Sequence, residues 1–181
     1  MKPIASSHNL AAGAAAESLC DDVAWLHELV LEFLISEAAD KASFETGGLL
    51  MGYLSASQGV PVILLASGPG PRAVHSRTRY RPDYQYDEAR VAQVYEQSQG
   101  RVLYLGDWHT HPETVSALSR KDQRALGRVA RCRAARIPSP LMGVLHFTDS
   151  WGVRVWRGRL TRRRLWRDRL TAVPLRVQAF S

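Results

Sequence analysis

Two histidines near the middle of the chain stand one residue apart, in the segment His109-Thr110-His111. In an extended strand, alternate side chains lie on the same face, so both imidazoles would point to one side. Imidazole nitrogens bind zinc and other transition metals well, whereas magnesium prefers oxygen ligands. The spacing therefore predicts a metal site with two nitrogen ligands, and zinc is the leading metal.

A carboxylate follows at a distance that a loop and the start of a helix can span. Seven residues separate His111 from Ser119, and Asp122 lies three residues after Ser119. A helix that begins at Ser119 can turn the Asp122 carboxylate back toward the imidazoles. Two histidines and one carboxylate leave the fourth position of a tetrahedral zinc ion open for water, as in catalytic zinc sites.

Each part of this pattern also has a plain structural explanation. A His-x-His pair alone is often accidental, and Ser119 with Asp122 forms the Ser-x-x-Asp pattern of a helix N-terminus, with Ser119 as N-cap and Asp122 at N3. An acid elsewhere in the chain favours the chemical interpretation. Glu45 directly precedes a glycine-rich apolar segment at 46–52, where another backbone can approach closely.

The elements that must position these residues alternate along the chain. Apolar residues at three- and four-residue spacing predict a helix from Asp21 to about Ala39, capped by Asp21 or Asp22, and segment 73–81 is either a further strand or an irregular flap. The other expected elements are strands at 49–53 and 60–66, a helix from 82 to about 100, a strand at 102–106, a helix at 119–132 and strands at 141–147 and 151–156. This order predicts an α/β (α+β) fold with helices around one mixed sheet.

Composition indicates one folded domain of ordinary globular type. The chain has 181 residues, of which 45% are hydrophobic and 23% charged. No apolar run approaches the roughly 18–20 residues of a membrane span, and the N-terminus lacks the hydrophobic stretch of a signal peptide, so we expect a cytoplasmic protein without membrane contact. The cysteines, Cys20 and Cys132, have no metal-binding spacing, and we expect both to stay reduced, with Cys132 in the core or partly buried.

Charge divides the chain into two unequal parts. Residues 1–119 carry 8 basic and 14 acidic side chains, whereas residues 120–181 carry 16 and 3. We expect a loose arm at 1–20, a folded domain at 21–158 and a basic tail at 159–181. The basic part favours an acidic protein partner over nucleic acid, because apolar residues around Trp151 alternate as in an ordinary strand.

The motif residues resemble those of the JAB/MPN domain family, whose zinc isopeptidases carry the JAMM motif. That motif consists of a glutamate, a distant His-Ser/Thr-His, seven residues, a serine, two residues and an aspartate. This chain fills every position, with Glu45, His109, Thr110, His111, Ser119 and Asp122. The resemblance covers about residues 22–158, and it implies a metalloprotease domain with a mixed, curved β-sheet flanked by helices, of the cytidine deaminase-like type.

The resemblance also implies a mechanism. His109, His111 and Asp122 would hold one zinc ion. Glu45 would take a proton from the zinc-bound water and later give it to the leaving amine, and Ser119 would donate its hydroxyl to the developing oxyanion. The family cleaves the bond after the C-terminal glycine of ubiquitin-like proteins. The implied partners are therefore such a protein or its conjugate, together with components of an E1/E2-like ligase system.

Two kinds of bacterial family member fit a chain of this size: deconjugases of CBASS-type antiphage operons, and peptidases that process sulfur-carrier proteins. We favour the deconjugase, because segment 68–81 and the arginine-rich C-terminal part could hold a folded acidic partner and its extended tail by strand addition. Two other hypotheses are a noncatalytic binding module and a DNA-associated protein similar to the RadC proteins. The complete motif argues against the noncatalytic module.

Overall fold

The computed structural model describes residues 23–57, 59–111, 117–163 and 166–181. The expected arm at 1–20, with Cys20, and the proposed helix cap at Asp21 or Asp22 lie outside these ranges. Across the described ranges, no helix is both long and apolar enough to cross a membrane.

The described ranges contain nine strands and three α-helices. In chain order they are β1 (Val23–His27), α1 (Glu28–Asp40), β2 (Gly47–Leu54), β3 (Pro61–Ala66), β4 (Val74–Ser76), β5 (Arg79–Arg81), α2 (Tyr84–Gln97), β6 (Leu103–His111), α3 (Arg120–Arg131), β7 (Leu141–Phe147), β8 (Trp151–Arg163) and β9 (Trp166–Phe180), with a short 3-10 helix (Arg133–Ala135) after α3. The predicted mixture of helices and a mixed sheet is confirmed.

Seven strands form a closed barrel in the order β1-β3-β2-β6-β7-β8-β9, and β9 pairs in turn with β1. The pairs β1–β3, β6–β7 and β9–β1 are parallel, and the others are antiparallel. The expectation of a curved sheet is therefore corrected, because the sheet closes on itself. Closure depends on β9, which is 15 residues long and reaches from β8 across to β1.

The basic C-terminal segment belongs to this barrel. The charge pattern of the sequence predicts a basic tail at 159–181. In the structure, β8 continues to Arg163 and β9 returns from Trp166 to Phe180. Alternate residues of a strand face opposite sides, so exposed basic residues share these strands with buried Val155 and Leu175. The sequence analysis therefore missed the second half of β8 and the whole of β9, because it interpreted the high charge density as a tail.

The N-terminal helix begins later than predicted. Val23–His27 forms β1 between β3 and β9, and α1 begins only at Glu28, where the His27 ring Nδ1 accepts a hydrogen bond from Leu29 N–H at 3.2 Å. Val23 and Leu26 are spaced as on a helix face, but both are also buried along a strand. Pairing with two neighbouring strands overrides the local helical pattern.

Segment 73–81, which the sequence left open as a strand or a flap, is a small antiparallel hairpin of β4 and β5 outside the barrel. Two contacts attach it to the segment before β2. Glu45 N–H donates to Ser76 O at 2.8 Å, and His75 Nδ1 lies 3.0 Å from Glu45 O. The hairpin is thus fixed directly beside the candidate base.

The core lies between the barrel strands and α1, whose buried side chains are Val30, Leu34 and Ala38. Trp108 of β6 is fully buried in this core, and its indole N–H donates to Ser67 O at 2.9 Å. Gly106 allows β6 and β7 to pack closely, because a Cβ there would lie 2.1 Å from Leu141 O. The strand that carries the histidines is therefore rigidly held on both sides.

Candidate active site

Strand β6 brings the two histidines to one face. Trp108 and Thr110 are buried at 1% and 2% exposure on the opposite side of the alternation. His109 and His111 both face Asp122 of α3, and His109 also lines a cleft. His109 Nε2 and His111 Nε2 lie 3.0 Å apart. Two ring nitrogens at this separation converge on a common point, as the sequence predicted.

Helix α3 supplies the carboxylate through a capping box. Ser119 N–H donates to Asp122 Oδ2 at 2.8 Å, and Asp122 N–H donates to Ser119 Oγ at 3.2 Å. The same carboxylate lies 3.4 Å from His109 Nε2 through Oδ1 and 3.5 Å from His111 Nε2 through Oδ2. The capping explanation and the ligand explanation of Ser-x-x-Asp are therefore compatible.

The three side chains form a donor set that suits a cation. One ligand atom from each of His109, His111 and Asp122 lies within 4.8 Å of the others. In a tetrahedral zinc site with bonds of about 2.0–2.1 Å, neighbouring ligand atoms stand about 3.3 Å apart, close to the observed separations. Burial raises the pKa of Asp122, but hydrogen bonds from both histidines outweigh it and hold this pKa well below its usual range. The carboxylate is thus ready to bind a metal in its charged form.

Glu45 is placed beside this donor set by the pairing of β2 with β6. Gly47 pairs with His109, and Thr46 is hydrogen-bonded to Thr110 in the next position, so continuing the register sets Glu45 opposite His111. Paired residues of antiparallel strands share a face. Glu45 also lines the same cleft as His109 and Asp122.

The glycine after Glu45 is required by close contacts. A Cβ on Gly47 would lie 2.4 Å from Trp108 O and 2.8 Å from Tyr80 Cε1. A side chain at this position would therefore push the β4–β5 hairpin away from the strand. The sequence expectation that these glycines permit close backbone approach agrees with this geometry.

A cleft of about 920 Å³ leads away from the metal donors. Besides Glu45, His109 and Asp122, its walls include residues of β5, α2 and β6 that the motif does not contain, namely Tyr80, Asp87, Tyr104 and Asp107. Asp107 Oδ1 accepts a hydrogen bond from Tyr104 O–H at 2.7 Å, and burial raises the Asp107 pKa. No spacing in the sequence points to Tyr80 or Asp87 as residues of the site.

Cys132 differs from its expected position. It lies at the C-terminal end of α3, it is exposed rather than buried, and it lines the cleft as a free thiol. The helical spacing that suggested burial ends at this residue, because the chain leaves the α-helix there.

Comparison with known proteins agrees with this architecture. The family described as prokaryotic homologs of the JAB domain matches residues 27–166. The chain belongs to this family, and the resemblance inferred from the motif is confirmed.

Several relatives carry enzyme names. A protein of Sinorhizobium fredii (strain NBRC 101917 / NGR234), named "Probable metalloprotease y4qB", is 35% identical over 159 residues, which are 86% of this chain and 96% of that protein. A "CD-NTase/cGAS isopeptidase" of Escherichia coli (strain TW11681) is 33% identical over 88 residues, which are 49% of this chain and 55% of that protein. The chain thus matches about half the length of this isopeptidase.

A solved structure shares the fold. The solution structure of protein DSY2949 from Desulfitobacterium hafniense has a TM-score of 0.60 and 15% identity, and the match covers 87% of this chain and 93% of that one. At this identity the likeness concerns the fold alone. The named relatives support a peptidase or isopeptidase at the level of the family, and the His-His-Asp group suggests a metal site.

Proposed function

We propose that the protein is a JAMM-type zinc isopeptidase, which cleaves after the C-terminal glycine of a ubiquitin-like protein or its conjugate. The observation that carries this proposal is the convergence of His109 Nε2, His111 Nε2 and the Asp122 carboxylate beside Glu45 in one cleft. The relatives named as a metalloprotease and as isopeptidases support the proposal.

The three donors would hold one zinc ion with an open position. When bound, zinc lowers the pKa of a coordinated water from about 15.7 to about 7 and polarises the carbonyl of the scissile bond. Glu45, on the same face as the histidines, accepts the proton of the attacking water and delivers it to the leaving amine. Glu45 is not among the three donors, so its substitution removes the base and leaves the metal ligands intact.

Ser119 has a hydroxyl hydrogen available for the substrate. In the capping box, Ser119 Oγ accepts a hydrogen bond from Asp122 N–H, and a hydroxyl has one further hydrogen to donate. The side chain is exposed at the start of α3, next to the metal donors. Ser119 would direct this hydrogen to the oxyanion that forms as water attacks the carbonyl.

The substrate tail would enter between the β4–β5 hairpin and α3. Arg79, Tyr80 and Arg81 of the hairpin line the cleft, and Lys121 and Arg128 of α3 line it from the other side. These basic side chains suit an acidic folded partner. We place the reaction in the cytoplasm, within an antiphage deconjugation system that includes E1/E2-like proteins. The relatives named "CD-NTase/cGAS isopeptidase" support a protein conjugate as the substrate.

Metal content and cleavage test the proposal together. Elemental analysis of the purified protein should give about one zinc per chain, and Asp122→Ala should lose most of it. Asp149→Ala is the matched control, because Asp149 is an exposed aspartate between β7 and β8. Little zinc in the wild type after reconstitution would overturn the metal site.

Cleavage is measured on ubiquitin-like proteins that carry a C-terminal fusion after glycine. The zinc-loaded wild type should release the fusion, and Glu45→Gln should retain zinc but lose turnover by at least about 100-fold, since a general base contributes this much. Equal turnover by the two proteins would overturn the role of Glu45. A panel that includes sulfur-carrier fusions and ubiquitin-like conjugates distinguishes the two substrate classes.

A further inference from the structure

One acidic residue that lines the cleft, Asp87, has a buried oxygen without a hydrogen-bond partner in the described part of the chain. Asp87 lies in the first turn of α2, is 9% exposed, and lines the same cleft as His109 and Glu45. Its Oδ1 is buried and makes no hydrogen bond with residues 23–57, 59–111, 117–163 or 166–181. A buried carboxylate oxygen without a hydrogen-bond partner lowers the stability of the folded protein. Ligand binding therefore explains Asp87 better than stabilisation of the fold does.

A tyrosine hydroxyl in the same cleft is also unpartnered. The O–H of Tyr80 is buried and has no hydrogen-bond partner among the described residues. The Tyr80 ring lies against Gly47, where a Cβ would come within 2.8 Å of Cε1. Gly47 pairs with His109 across the sheet. Burial and then the negative charge of Asp87 raise the pKa of Tyr80, so this residue lies near Asp87 as well as beside the strand that carries His109.

Two carboxylates close to Asp87 already have partners. Asp83 binds Arg72, with Oδ1 at 3.2 Å from Nη2, and Asp107 accepts the hydrogen bond from Tyr104. Burial, and then the negative charges of Asp107 and Asp83, raise the pKa of Asp87 to about 7. Asp87 thus lies in a negative environment and has an acceptor oxygen to offer.

The basic side chains that line the cleft do not fill this position. Arg79, Arg81, Lys121 and Arg128 are all exposed, and Asp87 Oδ1 remains without a hydrogen-bond donor in their presence. The cleft thus combines exposed basic side chains with a buried acidic group. The buried Asp87 carboxylate is therefore available to a cationic group of another molecule.

We infer that Asp87 and the Tyr80 hydroxyl form a subsite for a cationic side chain, lysine or arginine, of the peptide segment bound in the cleft. Ammonium and guanidinium groups only donate hydrogen bonds, and both a carboxylate and a phenol oxygen accept them. That a peptide occupies the cleft rests on the proposed function. The subsite itself adds a preference for lysine or arginine near the scissile glycine.

The test uses fluorescein-labelled peptides with a Gly-Gly core and a single arginine at successive positions on either side. Each peptide is matched by one with citrulline, which has nearly the same shape without the charge. Binding is measured by fluorescence anisotropy in the zinc-loaded Glu45→Gln background, where peptide is not consumed. Asp87→Asn and Tyr80→Phe are compared with Glu96→Gln, an exposed acid of α2 outside the cleft.

At one position, arginine should bind about 10-fold more tightly than citrulline in the background protein and in Glu96→Gln. This difference should fall to less than about 3-fold in Asp87→Asn and decrease in Tyr80→Phe. Equal binding of arginine and citrulline peptides at every position would overturn the subsite, and so would a preference that persists in both cleft variants. If Asp87→Asn fails to fold, the Tyr80→Phe result alone decides between these outcomes.

Hydrolysis of the same peptides is a separate readout. No cleavage by the zinc-loaded wild type, combined with an arginine preference that depends on Asp87, would contradict the proposed function and leave the subsite standing. Cleavage without such a preference would support the proposed function and overturn the subsite. The two proposals therefore fail in different measurements.

Discussion

Thr46 and Thr110 join the two separated parts of the motif through a pair of hydrogen bonds. Thr46 N–H donates to Thr110 Oγ1 at 2.9 Å, and Thr110 N–H donates to Thr46 O at 2.8 Å. Thr46 follows Glu45, and Thr110 lies between the two histidines. Glu45 and the two histidines are thus held relative to each other by two hydrogen bonds, one of which depends on the Thr110 hydroxyl.

Thr110→Val should weaken the connection between Glu45 and the two histidines. The substitution keeps the shape of the buried side chain but leaves Thr46 N–H without an acceptor, which costs about 1–3 kcal/mol of unfolding free energy. We expect a lower midpoint in urea, retained zinc, and a reduced kcat, because Glu45 loses its position.

Thr110→Ser is the matched control, since it retains the oxygen. It should keep a turnover close to that of the wild type, although the loss of a buried methyl group costs about 1 kcal/mol of stability. Wild-type stability and turnover in Thr110→Val would show that the hydroxyl does not position the base.

Ser119 has two roles in the proposal, as the N-cap of α3 and as a hydrogen-bond donor to the oxyanion. Two substitutions distinguish these roles. Both Ser119→Ala and Ser119→Gly remove the hydroxyl, but alanine is a poor N-cap and costs about 1 kcal/mol of stability, whereas glycine costs only a few tenths. If the hydroxyl donates to the oxyanion, turnover should fall by roughly 100–1,000-fold in both variants, although only alanine lowers the melting temperature clearly.

Zinc content should be unchanged in both Ser119 variants, since Ser119 is not among the metal donors. A loss of turnover that follows stability, large for alanine and small for glycine, would assign Ser119 to capping alone. Steady-state kinetics and thermal unfolding on the same preparations give the answer.

The ligand set could be predicted because its geometry is local. Alternation along one strand places His109 and His111 together, and a capping box places Asp122 one turn into α3. Each of these depends on a few neighbouring residues. The position of Glu45 was suggested by the family motif, and the pairing of β2 with β6 agrees with it.

Barrel closure and the Asp87 region could not be predicted, because both depend on distant pairings. Residues 23–27 fit a helix as well as a strand until β3 and β9 lie beside them. The arginines of 159–181 hide the strand alternation that brings β9 to β1. Similarly, no sequence spacing connects Tyr80 and Asp87 with His109, since a hairpin and a helix from outside the barrel bring them to the cleft.

The stability of the protein should depend on pH through Asp87. In the folded state, burial and then the charges of Asp107 and Asp83 raise the pKa of this carboxyl from 3.8 to about 7. The folded state therefore binds this proton more tightly than the unfolded state. The favourable contribution of the protonated group is fully present below about pH 4 and is lost as the pH rises to about 7.

Asparagine resembles the protonated carboxyl at every pH, so Asp87→Asn should raise the melting temperature by several degrees at about pH 8 and change it little at about pH 4.5. Glu96→Gln, which removes an exposed charge from the same helix, should show no such difference between the two pH values. Thermal unfolding of all three proteins across this range is the measurement. If Asp87→Asn lowers the melting temperature at about pH 8, the carboxylate has a partner that stabilises the fold, and its vacancy for a substrate cation would be refuted.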